Sequence, residues 1–188
     1  MANKFKVIDA DAHMQGAVDM WDKFFPKEYY DRRPIVTDWE DKMFFHFAPG
    51  EFFPEGTWRG GKGQGARLSP PKLTASMREK HGFAWEDDFS AASRLQAMDK
   101  FGWDKMVCFS GGAGPLRARN IDQPLLWAAT QAWNDWAHDF CQSDPTRLKM
   151  VGALPDQHDI EGLVIHTRRI VDKLGAVTIT VPMAAEGR

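Results

Sequence analysis

Residues 7–13 read Val-Ile-Asp-Ala-Asp-Ala-His, which places Asp9, Asp11 and His13 at every second position at the end of a short apolar run. In an extended strand, side chains two apart leave the same face, so this spacing aligns two carboxylates and an imidazole in one column. Such a column can hold a metal ion, and carboxylate oxygen with imidazole nitrogen suits zinc, manganese or iron better than calcium or magnesium alone. A structural reading competes with the metal one: Asp11 and His13 hydrogen-bond each other, or cap the turn after them. Spacing leaves both open.

The elements that must position this column are legible from the punctuation of the chain. Asp87 and Asp88 are suited to cap a helix with Ala91, Leu95 and Met98 at helical spacing and Gly102 at its C-terminal cap. Lys105 to Ser110 reads as a short buried strand that runs into Gly111-Gly-Ala-Gly-Pro. A helix is expected from about Asp122 to Gln142, with Pro124 in its first turn and Leu126, Ala129, Trp133, Ala137 and Phe140 along one stripe. Residues 149–154 make another strand. Asp156 and Asp159 precede a helix with Leu163, Val164, Thr167, Ile170, Val171 and Leu174 on one face; Gly175 ends it, and Val177 to Val181 form a fourth strand.

Apolar strands alternating with amphipathic helices imply α/β architecture, with parallel β/α units joined by right-handed crossovers. Periodicity does not distinguish an open doubly wound sheet from half of a closed eight-stranded barrel. In either, ligands gather at the C-terminal ends of the strands, where Asp11 and His13 fall.

Residues 14–84 break the alternation. They form a long irregular stretch in which Trp21, Phe25, Tyr29, Phe47 and Phe52, among other aromatics, are interleaved with prolines and glycines, the composition of a lid or binding loop that packs against something. Gly60-Gly-Lys-Gly-Gln-Gly65 lacks the ending and the preceding strand of a phosphate loop and reads as a flexible tip. Arg59 and Arg67 are candidates to bind an acidic substrate if this stretch folds over the site.

Composition sets outer bounds. The chain has 188 residues, 43% hydrophobic and 27% charged, which fits one globular domain with a real core. A net charge of −2 without basic runs leaves no footprint for nucleic acid or an anionic membrane. No apolar run is long enough to span a bilayer or serve as a signal peptide, and two cysteines are too few for a disulfide framework. A cytoplasmic location is the expectation, with Cys108 buried as a small hydrophobe.

Ile8 to His13 resembles the first-strand signature of the amidohydrolase superfamily, in the branch of aminocarboxymuconate-semialdehyde decarboxylase and its relatives, where an Asp-x-His-x-His or a variant with a leading acid opens the barrel. The similarity continues through Arg94-Leu-Gln-Ala-Met-Asp-Lys-Phe-Gly-Trp-Asp-Lys-Met-Val, Trp133-Asn-Asp-Trp-Ala-His-Asp-Phe-Cys and Asp144-Pro-Thr-Arg-Leu-Lys-Met-Val-Gly-Ala-Leu-Pro. It implies that the chain is the N-terminal half of a TIM-like (β/α)8 barrel, residues 1–188 being a single partial domain with residues 14–84 as a long aromatic-rich insertion after strand 1.

The resemblance further implies that Asp11 and His13 are ligands of one zinc or manganese ion, with Asp9 deeper in the barrel, in a hydrolase or nonoxidative decarboxylase. Its substrate would be a small organic acid or a cyclic amide or ester. The family's remaining ligands, histidines of the fifth and sixth strands and an Asp of the eighth, have no counterpart in these 188 residues, so a fragment that is inactive alone is the expectation. Ser110, Gly111 and His158 are candidates for substrate or supporting contacts at the mouth, while His138 and His166 read as solvated or helix-boundary residues. A rival expectation is a non-catalytic remnant or subunit that self-associates, or completes a barrel with another chain, through its open sheet edge.

Overall fold

A computed structural model describes residues 5–40, 44–54, 75–111, 114–118, 121–155 and 159–181. Its elements in chain order are β1 (Ile8–Gln15), α1 (Met20–Phe24), a 3-10 turn (Lys27–Arg32), β2 (Val36–Glu40), β3 (Phe44–Phe47), α2 (Ala75–Glu86), α3 (Ala91–Phe101), β4 (Lys105–Gly111), a 3-10 turn (Gly114–Arg117), α4 (Gln123–Gln142), β5 (Leu148–Ala153), α5 (Ile160–Arg168) continued by a π turn (Arg169–Lys173), and β6 (Thr178–Thr180). Four strands form a parallel sheet in the order β1-β4-β5-β6, while β2 and β3 make a separate antiparallel pair. A doubly wound sheet reverses its strand order at a switch point. Here each crossover sets the next strand beside the previous one, an order consistent with part of a TIM-like fold.

The core lies between this sheet and α4. Asp122 caps α4 by accepting a 2.9 Å hydrogen bond from the Leu125 amide, and Pro124 occupies its first turn. Buried Leu125, Ala129, Ala132, Trp133 and Ala137 pack in one cluster with Ala12 and Met14 of β1, Met106 and Cys108 of β4, and Leu148 and Met150 of β5. The expected stripe on α4 is buried, and burial extends round the helix to Ala128, Thr130, Trp136 and Cys141. The Cys141 thiol hydrogen-bonds to Cys108, which together with burial holds Cys141 well above the ordinary thiol range.

A fully buried amide locks helix to sheet. The Asn134 side chain donates to the carbonyls of Thr130 and Ala153, each at 2.8 Å, and accepts from the Ala153 amide at 2.8 Å. It therefore satisfies both backbone groups of the last β5 residue.

Four expectations need correction. Helix α3 is capped by Ser90, which accepts from the Ser93 amide at 3.1 Å, while Asp87 accepts from the Ser90 hydroxyl and Asp88 occupies the turn with a φ of 51°. The stretch after β1 is not irregular throughout, since it holds α1, β2 and β3; its aromatics pack as expected, Trp21, Phe25 and Phe52 joining the core with the Trp21 and Trp133 rings 6.3 Å apart. Its Gly60–Gly65 tip, with Arg59 and Arg67, lies outside the described residues. The apolar face expected on α5 is narrower than predicted: Ile170 is buried and Leu163 and Leu174 pack against the core, whereas Val164 and Val171, one position round the helix, are exposed.

His138 and His166 are half-buried and each has a partner, so neither is freely solvated, although His166 does lie in the last turn of α5. Nδ1 of His138 lies 2.9 Å from the Leu174 carbonyl, and His166 stacks on Trp127 at 4.0 Å with the rings 5° from parallel. Burial, and then the nearby Arg169 charge, depress the His166 pKa below 6.5.

These contacts between α4 and its neighbours can be tested by substitution. Asn134→Ala leaves the Ala153 amide and carbonyl unpaired in the core, and should lower the free energy of unfolding in urea by about 2–4 kcal/mol. A histidine whose folded pKa is depressed binds its proton more readily in the unfolded chain, so its contribution falls as pH drops below the unfolded value of 6.5 and is fully unfavourable below the folded one. Stability measured between pH 8 and pH 5 should therefore decline less steeply in His166→Gln; identical slopes would refute the assignment.

Candidate metal-binding site

The local path of β1 decides what the Asp-x-Asp-x-His spacing produces. Asp9 is level with Met106 and Ala12 with Cys108, so β1 advances three residues while β4 advances two. This is a β-bulge, and it breaks the two-residue alternation. After it, Ala12 and Met14 are buried towards the helices while Asp11 and His13 emerge on the open face. Before it, Asp9 keeps the level and face of Met106, on the covered side, where its charge acts on the Cys108 thiol. The single column expected from spacing is thus a pair plus a residue on the other face.

Asp9 has a different task. Its carboxylate accepts a 3.0 Å hydrogen bond from the Asp11 amide, closing the bulge. On the open face, Oδ1 of Asp11 and Nε2 of His13 lie 3.8 Å apart, with side chains 82% and 65% exposed. That gap exceeds a hydrogen bond, whose donor and acceptor sit about 2.7–3.2 Å apart, so the two side chains do not bond each other. Two bonds of about 2.0–2.2 Å meeting at the tetrahedral angle set their donors roughly 3.3–3.6 Å apart, so one ion would join this pair only after a small side-chain rotation. Carboxylate and imidazole are suited to zinc or manganese, but two donors are fewer than the three or four that such centres use. Among the described residues no group of three or more His, Cys, Asp and Glu side chains converges.

The other candidates do not join the pair. Ser110 is level with Met14, and by strand alternation shares its face, opposite Asp11 and His13. Gly111 is level with Gln15 at the end of β4, so only its backbone is available to a ligand. His158 lies outside the described residues. Near the His13 ring stands Phe109, with centroids 6.4 Å apart.

Arg94 is the residue that sequence reasoning passed over. From α3 its Nη2 donates to the His13 carbonyl at 2.7 Å, and Nη1 approaches Met106 Sδ at 3.9 Å. The available signal was a charged residue three after Ala91 and four before Met98, inside the apolar stripe of its helix, where an unpaired charge is not tolerated.

Behind the strand ends, Arg32 bonds both Glu51 and Asp122, tying the segment after β1 to the N-terminus of α4. Its guanidinium holds both carboxyls below their usual range. Arg32 and its partners are more than a third exposed, so this clamp orients more than it stabilises. No described helix is long and apolar enough to cross a membrane.

No family model and no curated protein sequence matches this chain. Solved structures similar to it include 2,6-dihydroxybenzoate decarboxylase from Rhizobium, 28% identical with a TM-score of 0.41 over 46% of this chain and 26% of that one. Another is 2,6-dihydroxybenzoate decarboxylase complexed with 2,6-dihydroxybenzoate, 17% identical with a TM-score of 0.43 over 93% of this chain and 37% of that one. The chain thus spans well under half the length of either structure.

Proposed function

We propose that this chain contributes the first-strand ligands, Asp11 and His13, to a divalent-metal centre of the amidohydrolase type. The observation that carries the reading is the 3.8 Å approach of a carboxylate oxygen and an imidazole nitrogen on one face of a parallel strand, with Asp11 at its middle and His13 towards its C-terminal end. Parallel α/β folds gather ligands and catalysis at that edge. The resemblance of residues 8–13 to the superfamily's first-strand signature, and of three later segments to the same branch, supports it.

The expected ion is zinc or manganese, and the reaction either hydrolysis or nonoxidative decarboxylation of a small organic acid or a cyclic amide or ester. The ion would polarise the substrate or lower the pKa of a bound water. The chain's own part is to present one carboxylate oxygen and one imidazole nitrogen on the same strand face. Further ligands must come from outside the described residues.

Titration of the chain with zinc or manganese, read by calorimetry, tests this reading. Binding should be lost in the Asp11→Ala, His13→Ala double variant, and binding unchanged by the double substitution would overturn the assignment.

A second reading, a subunit that pairs through its sheet edge, has support in β6. This three-residue strand has one neighbour among the described residues and is flanked by Val177 and Val181, 56% and 66% exposed. Sedimentation equilibrium separates it from the first: self-association weakened by Val177→Lys supports pairing, and a monomer at all concentrations refutes pairing between copies of this chain.

A further inference from the structure

The chain's two cysteines, Cys108 of β4 and Cys141 in the last turn of α4, are far apart in sequence and meet in the core. They are 1% and 3% exposed. The Cys108 thiol donates weakly to the Met106 carbonyl at 3.8 Å, and the Cys141 thiol hydrogen-bonds to Cys108. Sulfurs in such contact belong to facing side chains, the first requirement of a disulfide.

The surroundings make the two thiols unequal. The bond from Cys141 holds Cys108 below the ordinary thiol range against the effect of burial, helped by the Arg94 charge and the Lys149 amide and opposed by the charge of Asp9. Its bond to Cys108, and then burial, push Cys141 well above that range. In dithiol chemistry the thiol that ionises more readily is the nucleophile and its neighbour resolves the product. Both stand apart from the proposed metal centre, because Cys108 is level with buried Ala12 on the helix-facing side of the sheet, opposite Asp11 and His13.

We propose that Cys108 and Cys141 form a reversible disulfide that staples α4 to β4, with hydrogen peroxide as the class of oxidant. The Cys108 thiolate attacks one peroxide oxygen; the O–O bond breaks, hydroxide leaves, and Cys108 carries a sulfenic acid. The Cys141 sulfur then attacks Cys108, the S–O bond breaks as the S–S bond forms, and the Cys141 proton leaves with the oxygen as water. Overall, two thiols lose two electrons and one peroxide is reduced to two waters. A small uncharged oxidant fits because so closed a core admits little else during local opening. The staple ties the end of α4 beyond the Asn134 lock to the sheet.

Peroxide treatment of the folded chain, followed by alkylation and tryptic digestion, tests the proposal. One intramolecular link between the Cys108 and Cys141 peptides is expected, reversed by dithiothreitol. Equilibration in a dithiothreitol redox buffer then reads the geometry independently of access. The ratio of linked to reduced chain should be at least about tenfold higher in the folded chain than in urea, and the linked chain should unfold at higher urea. In Cys141→Ala, the sulfenic-acid trap dimedone should label Cys108; in Cys108→Ala, Cys141 should stay unlabelled at the same dose.

Cysteines that remain thiols after peroxide has oxidised exposed methionines overturn the proposal, as does a link found only between chains. A linked fraction no larger in the folded chain than in urea overturns it on the parent protein alone, whether or not the variants fold. Equal labelling of Cys141 in Cys108→Ala overturns the division of roles between the two thiols.

Discussion

The seat of α4 on the parallel sheet is the contact on which the other arrangements depend. Small residues at Ala129, Ala132 and Ala137 are fully buried, which lets the helix axis come close to the strands. Close approach alone would let a helix slide by a turn, since apolar contacts have no direction. Asn134 removes that freedom: its three hydrogen bonds to Thr130 and to both backbone groups of Ala153 are satisfied at one register only. A buried amide bonded this way contributes little beyond its own desolvation cost, yet any shift strands three polar groups in the core.

Each neighbour then uses α4 as its reference. The aromatic segment after β1 docks through Trp21 on Trp133 and through Arg32 on the Asp122 cap. The last helix docks through His166 on Trp127, His138 on Leu174 and the Arg169–Asp135 ion pair at 2.6 Å. Gly162 belongs to this contact, because a Cβ there would lie 2.6 Å from the Trp127 ring. One helix thus fixes where the chain enters and leaves the sheet.

Much of this is legible in the sequence because it rests on local rules. Asp122 and Asp159 cap the helices expected after them, and Gly102 and Gly175 close helices with φ of 73° and 69°. The alternation of strands and helices is a local pattern of the same kind. The features that escape a sequence reading depend on partners distant in the chain. The bulge in β1 carries no glycine, and the side chains that bond its backbone are Asp9 and Arg94, the latter eighty-one residues from His13. The π turn at Arg169–Lys173 likewise has no local signature; it places Ile170 against Gly152. Asn134 reads as an ordinary polar residue between two tryptophans until β5 supplies its partners. The histidines at 138 and 166 elude sequence reasoning for the same reason, since a helical wheel does not show a second helix.

The candidate ligands pose a sharper physical question, because Asp11 and His13 stand in water. Two unit charges about 4 Å apart interact by about 1 kcal/mol in bulk water, against about 4 kcal/mol near a protein surface of lower effective dielectric. A cation held by this pair on an open face would compete with hydration at every bond, and its polarising power over a substrate would be screened. The same face carries Ile8, 58% exposed at the level of Lys105. The other face of the strand is sealed, Ala12 and Met14 being buried, so Asp11 and His13 have packed core behind them and solvent in front. An ion at this pair would be held tightly only with further donors and a less polar surrounding added to the two side chains present.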